Sequence, residues 1–378
     1  MRRRIHVAVV GAGAFGGWTA LYLLRQGARV TLLDAWGAGN SRSSSGGETR
    51  VIRGTYGPHQ PYSRMAARAL KLWQENERKW KSRFVHRIGV LWMAGADDDA
   101  WEQGSINELR QAKISCQRLS PARMKKRWPQ INFEGIEWGV FEPESGYVMA
   151  RTACQRVVDG LIAEGGEYRQ AAVLCVGLES GPCKAITLSD KSQLEADHYV
   201  FACGPWMPKL FPHAVGNNIQ STKQEVFFFG PPAGDLRFGD QQLPVWADHR
   251  GRFMYGIPGN QGRGFKIADD TRGPEFDPTT GERAISEECL RVARDYMAFR
   301  FPGMKDAPLV ETRVCQYEQT PDSHFIVDRH PVAENVWLVG GGSGHGFKHG
   351  PALGEMVAKL VMKDQQPEHW WRLERFAS

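Results

Sequence analysis

Residues 5–16, IHVAVVGAGAFG, decide the fold of this 378-residue chain. A short apolar strand runs into Gly11, Gly13 and Gly16, which have the spacing G-x-G-x-x-G, and a helical segment follows. In this motif the first glycine permits a tight turn, the second lets the backbone approach a pyrophosphate, and the third lets the helix pack closely on the strand. The N-terminus of the helix then offers free N–H groups and a positive dipole end to phosphate.

A second apolar strand, residues 28–33, follows the helix and ends at Asp34. An acidic residue at this point of the motif accepts hydrogen bonds from ribose hydroxyls. Strand, glycine turn, helix, strand and acid in this order predict a Rossmann-type site for an adenine dinucleotide. The motif alone does not say which dinucleotide binds.

The composition is that of an ordinary globular protein, because 42% of the residues are apolar and 24% are charged. The length suggests about two domains. No apolar run approaches the ~18 residues of a membrane span, and the N-terminus leads directly into the first strand rather than into a secretion signal.

Seven irregularly spaced cysteines predict reduced thiols, a cytoplasmic location and no zinc or other metal site. The net charge of +6 comes from scattered residues, which argues against nucleic-acid binding.

The pattern of strand, glycine turn and helix returns twice. Residues 198–202 form an apolar strand before Cys203 and Gly204, and residues 336–339 form another before a glycine-rich loop at 340–350 and a helix. A late loop that closes back on the cofactor favours a flavin, whereas many nicotinamide dehydrogenases use one contiguous block. We therefore predict an α/β fold in which a discontinuous Rossmann-type FAD-binding domain (residues 1–84, 147–217 and 318–378) is joined to a sheet-rich α+β substrate domain (residues 85–146 and 218–317).

The segment after Asp34 is rich in glycine and serine and leads to Arg50 and Arg53. Its composition fits a flexible linker that ends in an exposed basic turn. It fits equally a loop that passes under the cofactor and directs guanidinium groups into a site. The residues themselves leave both interpretations open.

Several stretches of this chain resemble the monomeric sarcosine oxidase family of FAD-dependent amine oxidases, D-amino-acid-oxidase-like flavoproteins that include N-methyltryptophan and pipecolate oxidases. The matching stretches are the G-x-G-x-x-G start with Asp34, SRSS and TRVIR between Ser41 and Arg53, VCQY with TPDSHFIVD between Val314 and Asp328, and GSGHGFK from Gly342 to Lys348. With FEPESG at 141–146 between them, the resemblance spans nearly the whole chain.

The resemblance implies that FAD is bound covalently, through sulfur, at Cys315. The alternative is a buried structural cysteine, which would describe the other six. Because the thiolate is the nucleophile in such a bond, we expect a cation beside it, from Arg313 or His345.

The resemblance also implies a set of catalytic residues. Arg53 and Lys348 match the pair that binds the substrate carboxylate, a task suited to a guanidinium fork and an ammonium point charge. Lys266 matches a lysine near flavin N5 that promotes electron transfer to dioxygen, although it would otherwise be taken for a surface lysine. Arg50 matches an arginine over the flavin ring, and Tyr255 matches a tyrosine that shapes the substrate pocket.

The cofactor-binding residues expected from the resemblance come from both ends of the chain. Near the end, the positive end of the last helix would favour negative charge at the pyrimidine part of the flavin. The expected residues are Gly11, Gly13, Ala14, Phe15, Gly16, Asp34, Ser41, Arg42, Ser43, Ser44, Thr49, Arg50, Val173, Cys315, Gly342, Gly344, His345, Gly346, Phe347 and Lys348.

The chain departs from the family pattern at two places. Ser45-Gly-Gly stands where sarcosine-type members carry a histidine, and Asp270, preceded by Asp269, stands where they carry a histidine of the substrate pocket. A carboxylate at the second place is expected to admit a larger or more cationic amine, which argues against sarcosine itself.

The expected activity is oxidation of a secondary amine, an N-alkyl or cyclic amino acid, by a cytoplasmic monomer. Hydride transfer to flavin N5 would give an imine, and dioxygen would be reduced to hydrogen peroxide. One alternative is a flavin-dependent amino acid dehydrogenase that passes electrons to a quinone or carrier protein. A nicotinamide reductase would have no use for Cys315, and a tRNA-modifying flavoprotein would need a basic face.

Overall fold

The structure, a computed structural model, describes residues 3–58, 60–95, 99–176, 178 and 181–377. None of the helices among these residues has both the length and the apolar character needed to cross a membrane. The helices are α1 (Ala14–Arg25), α2 (Gln60–Trp80), α3 (Ala100–Gln111), α4 (Pro121–Arg127), α5 (Ala150–Ala163), α6 (Met207–Leu210), α7 (Glu287–Arg300) and α8 (Gly350–Lys363).

The strands of the described residues form four sheets. They are β1 (His6–Val10), β2 (Arg29–Asp34), β3 (Thr49–Ile52), β4 (Val85–His86), β5 (Val90–Ala94), β6 (Gln117–Leu119), β7 (Trp138–Glu142), β8 (Gly146–Met149), β9 (Glu167–Gln170), β10 (Val173–Val176), β11 (Ala185–Leu188), β12 (Gln193–Glu195), β13 (His198–Phe201), β14 (Gln220–Phe229), β15 (Val245–Asp248), β16 (Met254–Ile257), β17 (Phe265–Asp269), β18 (Leu309–Gln319), β19 (Ile326–Arg329) and β20 (Val336–Gly340).

The first large sheet has the order β19-β20-β13-β1-β2-β9. All neighbours are parallel except β19 and β20. Strand β1 is buried along its whole length, as expected for a parallel strand covered on both faces. Residues 14–23 of α1 are also buried, because this helix packs on the sheet and against α8. Gly354 of α8 permits this close approach, since a Cβ atom there would lie 2.5 Å from the carbonyl carbon of Trp18.

The second large sheet has the order β18-β14-β17-β16-β15-β5-β7-β6. Its neighbours are antiparallel apart from β15 and β5. The long β14–β18 pair brings Gln224 opposite Cys315, and the β14–β17 pair brings Phe228 opposite Lys266. Two residues that are distant in sequence, Cys315 and Lys266, therefore lie on strands that share one neighbour.

The two large sheets are built from alternating pieces of the chain. The parallel sheet takes strands from the N-terminal, middle and C-terminal parts, and the antiparallel sheet takes strands from residues 90–142 and 220–319. The predicted fold class, a discontinuous Rossmann-type fold with a sheet-rich second part, is confirmed. The domain boundaries themselves stay a prediction, and β18 runs across the one placed after residue 317.

Candidate functional site

A cavity of about 290 Å³ opens at the carboxyl ends of the central parallel strands. Val10, Ala202 and Val339, at or beside the ends of β1, β13 and β20, line its floor, and the glycine turn before α1 lines one wall. Ligands of open α/β sheets bind in this crevice. The cavity is therefore the candidate dinucleotide site.

Two glycines of the turn before α1 are required by their geometry. Gly11 has a φ of +103°, and a Cβ atom there would lie 2.3 Å from the carbonyl oxygen of Ala202. A Cβ atom on Gly16 would lie 1.9 Å from the carbonyl oxygen of Gly11. Gly13 is less constrained by the protein and lines the cavity, which fits a role in approaching a ligand.

Asp34 lies at the edge of this cavity and also holds the glycine turn. Its carboxylate accepts the backbone N–H groups of Ala12 at 2.8 Å and of Trp36 and Gly37 at 2.9 Å. Burial raises the pKa of Asp34 above its usual value, and these three donors act in the opposite direction. The residue expected to bind ribose thus also fixes the loop that follows it.

The loop of residues 36–47 passes beside the cavity and does not behave as a linker. Of the residues expected to bind the cofactor, Ser43 and Ser44 line the cavity, whereas Ser41, Arg42 and Thr49 lie outside its lining. The guanidinium of Arg42 donates to the carbonyl of Thr279 at 2.9 Å instead.

Sequence reasoning missed one serine of this loop. Ser45 lines the cavity, and its hydroxyl accepts the backbone N–H of Ala14, in the first turn of α1, at 3.0 Å. The sequence marked Ser45 only as a departure from the family pattern and did not predict that it lines the cavity.

A second cavity, of about 80 Å³, lies against the antiparallel sheet. Arg50, Tyr317, Gly344 and Phe347 line both cavities, so the two adjoin each other. The second cavity brings together the predicted catalytic residues and Cys315. Its lining includes Arg50, Arg53, Tyr255, Lys266, Asp270, Cys315, His345 and Lys348.

The cation beside Cys315 is Arg50. A guanidinium nitrogen of Arg50 lies 3.2 Å from the sulfur, although the two residues are 265 positions apart. The expectation of Arg313 or His345 at this place was wrong: Arg313 binds the carboxylates of Glu311 and Glu48, and His345 is hydrogen-bonded elsewhere. The guanidinium of Arg50 therefore contacts the sulfur directly.

Lys266 is buried, with 3% of its surface exposed, and is not a surface lysine. Its ammonium donates to the carbonyl of Thr49 at 3.3 Å. Burial lowers the pKa of Lys266 to about 7, and the nearby charge of Arg50 acts in the same direction. The lysine can therefore gain or lose its charge near neutral pH.

Lys348 and Arg53 are held by the same tyrosine. The Lys348 ammonium donates to the hydroxyl of Tyr56 at 2.8 Å and to the carbonyl of His345 at 2.7 Å. The Arg53 guanidinium lies over the rings of Tyr56 and Trp92, at 4.2 and 4.9 Å from their centroids. Burial lowers the pKa of Lys348 well below its usual range, and Arg53 adds to this effect. Arg53 and Lys348 therefore face one small aromatic cavity, in which an anion bound beside Lys348 would favour its charged form.

The two aspartates have different partners. Asp270 accepts the hydroxyl of Tyr317 at 2.5 Å, whereas Asp269 pairs with Arg252 at 2.9 Å. Burial raises the pKa of Asp270 to about 6, against the effects of the Tyr317 hydrogen bond and of the Arg53 charge. Asp270 is thus a buried carboxylate close to Arg53, and Asp269 and Glu225 also line the second cavity.

Comparison with known proteins identifies the family of this chain. A family model described as FAD dependent oxidoreductase matches residues 6–360. The chain belongs to this family. Among the relatives of this FAD-dependent oxidoreductase, monomeric sarcosine oxidase from Bacillus sp. (strain B-0618) is 28% identical over 369 residues, which cover 96% of this chain and 93% of that protein. N-methyl-L-tryptophan oxidase from Salmonella heidelberg (strain SL476) is 25% identical over 94% of each chain.

Solved structures share the fold of this FAD-dependent oxidoreductase. L-proline dehydrogenase from P. horikoshii matches with a TM-score of 0.86 and 21% identity, over 100% of this chain and 99% of that one. The resemblance found in the sequence motifs is confirmed at the level of the family.

The first cavity of this FAD-dependent oxidoreductase fits the cofactor. Gly11 and Gly16 leave no room for side chains at the turn, and the N-terminus of α1 faces the cavity beside Asp34. Glu318 also lines the cavity, and one of its buried carboxylate oxygens has no partner among the described residues. Such an oxygen suits the hydroxyl-rich parts of FAD.

Proposed function

We propose that this protein oxidises secondary amines, specifically N-alkyl or cyclic amino acids of the sarcosine, N-methyl amino acid or pipecolate type. It acts on the CH–NH bond, releases an imine and passes the electrons to dioxygen, which becomes hydrogen peroxide. The observation that carries this proposal is the pair of cations, Arg53 and Lys348, in the small aromatic cavity beside Lys266 and Cys315. The names of the relatives, sarcosine oxidase and N-methyl-L-tryptophan oxidase, support the same class of substrate.

Arg53 and Lys348 would bind the substrate carboxylate. A guanidinium presents paired N–H donors to the two oxygens of a carboxylate, and an ammonium adds a point charge. Contacts with Tyr56 hold both cations in place before the substrate arrives. Fixing the carboxylate fixes the adjacent carbon atom, so positioning supplies a large part of the rate.

The cations of the cavity also favour the reactive form of the amine. Arg53, Lys348 and Lys266 all line the cavity, and each of them that carries its charge disfavours an ammonium group beside it. The substrate nitrogen would therefore bind with its lone pair free. When bound, FAD accepts the hydride equivalent from the carbon beside this nitrogen. No general base is needed for that step, and none is assigned among the residues of the cavity.

We also propose that Cys315 attaches FAD covalently, supported by the contact of its sulfur with Arg50. We expect yellow colour to stay with the pellet when the purified protein is precipitated with acid, because a thioether survives denaturation. In the variant Cys315→Ser the colour should move to the supernatant. The control is Cys289→Ser, because Cys289 is half-buried and lies outside both cavities, and in this variant the colour should stay in the pellet. Colour in the supernatant of the unaltered protein would rule out the bond.

Asp270 would select substrates with a larger or cationic side chain, since it lines the substrate cavity and opposes its positive charge. We expect peroxide release at pH 8, where Asp270 is ionised, to be faster with N-methyl amino acids that have basic side chains than with sarcosine. Asp270→Asn should reduce this preference about tenfold, because it removes one charge-assisted contact with the basic side chain of the substrate. Asp235→Asn, which removes the partner of Arg237 and lies outside the lining of both cavities, is the matched control. An unchanged preference in Asp270→Asn would refute the role of Asp270.

The same peroxide assay tests the electron acceptor. A dehydrogenase that uses a quinone or carrier protein would consume the amine in air without stoichiometric peroxide and would be accelerated by an added quinone. We propose dioxygen because Lys266 is buried at the substrate cavity. The proposal also includes a cytoplasmic location and a monomeric state. The mass of the purified protein in solution checks the monomeric state.

A further inference from the structure

Strand β18 directs successive side chains to different cavities. Cys315 lines the second cavity, whereas Gln316 and Glu318 line the first. Side chains of an extended strand point alternately to its two faces, which explains this alternation. The rise of about 3.3 Å per residue places Glu318 about 10 Å from Cys315. Glu318 therefore lies within the dinucleotide cavity, displaced along the strand from the expected attachment point.

Glu318 is buried between two loops of the parallel sheet, with 9% of its surface exposed. A Cβ atom on Gly342, after β20, would lie 2.9 Å from Oε1, and one on Gly204, after β13, would lie 3.1 Å from Oε2. The backbone N–H of Gly342 acts on the carboxylate, but Oε2 has no hydrogen-bond partner among the described residues. Burial raises the pKa of Glu318 to about 7. A buried carboxylate oxygen without a donor is unfavourable, so a ligand that brings donors would be stabilised here.

We propose that Glu318 binds FAD by accepting hydrogen bonds from hydroxyl groups of its ribityl chain. The glycine turn and Asp34 assign the diphosphate and the adenosine to one end of the cavity. The flavin half must then extend towards the second cavity, past Glu318. A carboxylate only accepts hydrogen bonds and repels a diphosphate, whereas the ribityl chain offers hydroxyl donors. This role does not depend on which amine is oxidised.

The test uses Cys315→Ala protein, in which FAD binds reversibly and its affinity can be titrated by flavin fluorescence. Adding Glu318→Gln should weaken FAD binding about tenfold or more, the value of hydrogen bonds to a charged group. Binding of ADP, which has the adenosine and diphosphate but no ribityl chain, should change less than twofold. Glu334→Gln, an exposed glutamate, is the matched control. An equal loss for FAD and ADP, no loss for FAD, or tighter FAD binding would each overturn the proposal.

Analogues of FAD provide a second measurement that needs no change at Glu318. In Cys315→Ala protein, at least one of the 2′-, 3′- and 4′-deoxyribityl analogues should bind about tenfold more weakly than FAD. For that analogue, Glu318→Gln should cause no further loss. Without cofactor, Glu318→Gln should melt at the same or a higher temperature, because it removes a buried charge. Equal affinities for FAD and all three analogues, or an equal further loss with every analogue, would show that Glu318 only supports the fold.

Discussion

Replacing Lys266 by methionine is expected to slow the reaction of the reduced enzyme with dioxygen at least about 100-fold, while reduction by the substrate stays within about threefold. Methionine keeps most of the volume of the buried side chain and removes its charge. The physical reason is that a fixed cation stabilises negative charge as it develops on dioxygen. Stopped-flow measurement of each half-reaction separates the two steps.

The lowered pKa of Lys266 predicts the direction in which the rate of reoxidation changes with pH. The pKa of Lys266 is lowered to about 7, so the side chain is charged below pH 7 and neutral above it. The rate constant for reoxidation should therefore fall by up to about tenfold for each pH unit above 7. Lys266→Arg should remove this decline, because a guanidinium stays charged.

A matched control for Lys266 lies on the neighbouring strand. Lys223 of β14 pairs with Glu225 at 3.0 Å and lines neither cavity, so Lys223→Met should leave both half-reactions unchanged. Equal slowing of reduction and reoxidation in Lys266→Met would contradict a role in the oxygen reaction and would favour a dehydrogenase.

Replacing Arg53 by methionine is expected to lower kcat/KM for amino acid substrates by a factor of about 10² to 10⁴. A bidentate carboxylate contact consists of two charge-assisted hydrogen bonds, each worth about 1.5–3 kcal/mol. Arg53→Lys should recover only part of the loss, since an ammonium cannot present the paired donors. Steady-state kinetics with the best substrate of the peroxide screen provides the measurement.

The control for Arg53 is a substrate without a carboxylate. The corresponding N-methyl amine should be turned over slowly by the unaltered enzyme, and Arg53→Met should change its kcat/KM by less than about threefold. Thermal unfolding checks that the stacking of Arg53 on Tyr56 and Trp92 is not needed for stability. An equal loss with both kinds of substrate would mean that Arg53 does not bind the carboxylate.

The dinucleotide turn was predictable because its requirements are local. Gly11, Gly16 and Asp34 lie in one strand–helix–strand unit, and their spacing alone fixes which atoms meet. The resemblance to a known family extended this to the residues of the second cavity, although their roles stay predictions.

The contacts between distant segments were not predictable in the same way. The partner of Cys315 was expected from residues near it in sequence or in the same motifs, whereas the structure brings Arg50 to it from the other end of the chain. Tyr56, which holds both Arg53 and Lys348, was also missed, because nothing in its neighbourhood distinguishes it from a core tyrosine. Glu318 escaped notice because burial decides its importance, and burial depends on loops that follow β13 and β20.

The order of strands in the parallel sheet has a consequence for how the protein is made. Strand β1 lies beside β13, which in turn pairs with β20, so the sheet needs residues from both ends of the chain. Such long-range pairings raise the contact order and slow folding. During synthesis the N-terminal glycine turn emerges first, but Lys348 and its loop emerge only after most of the chain has been translated. The lining of the cofactor cavity is therefore complete only after the chain has been translated past Phe347.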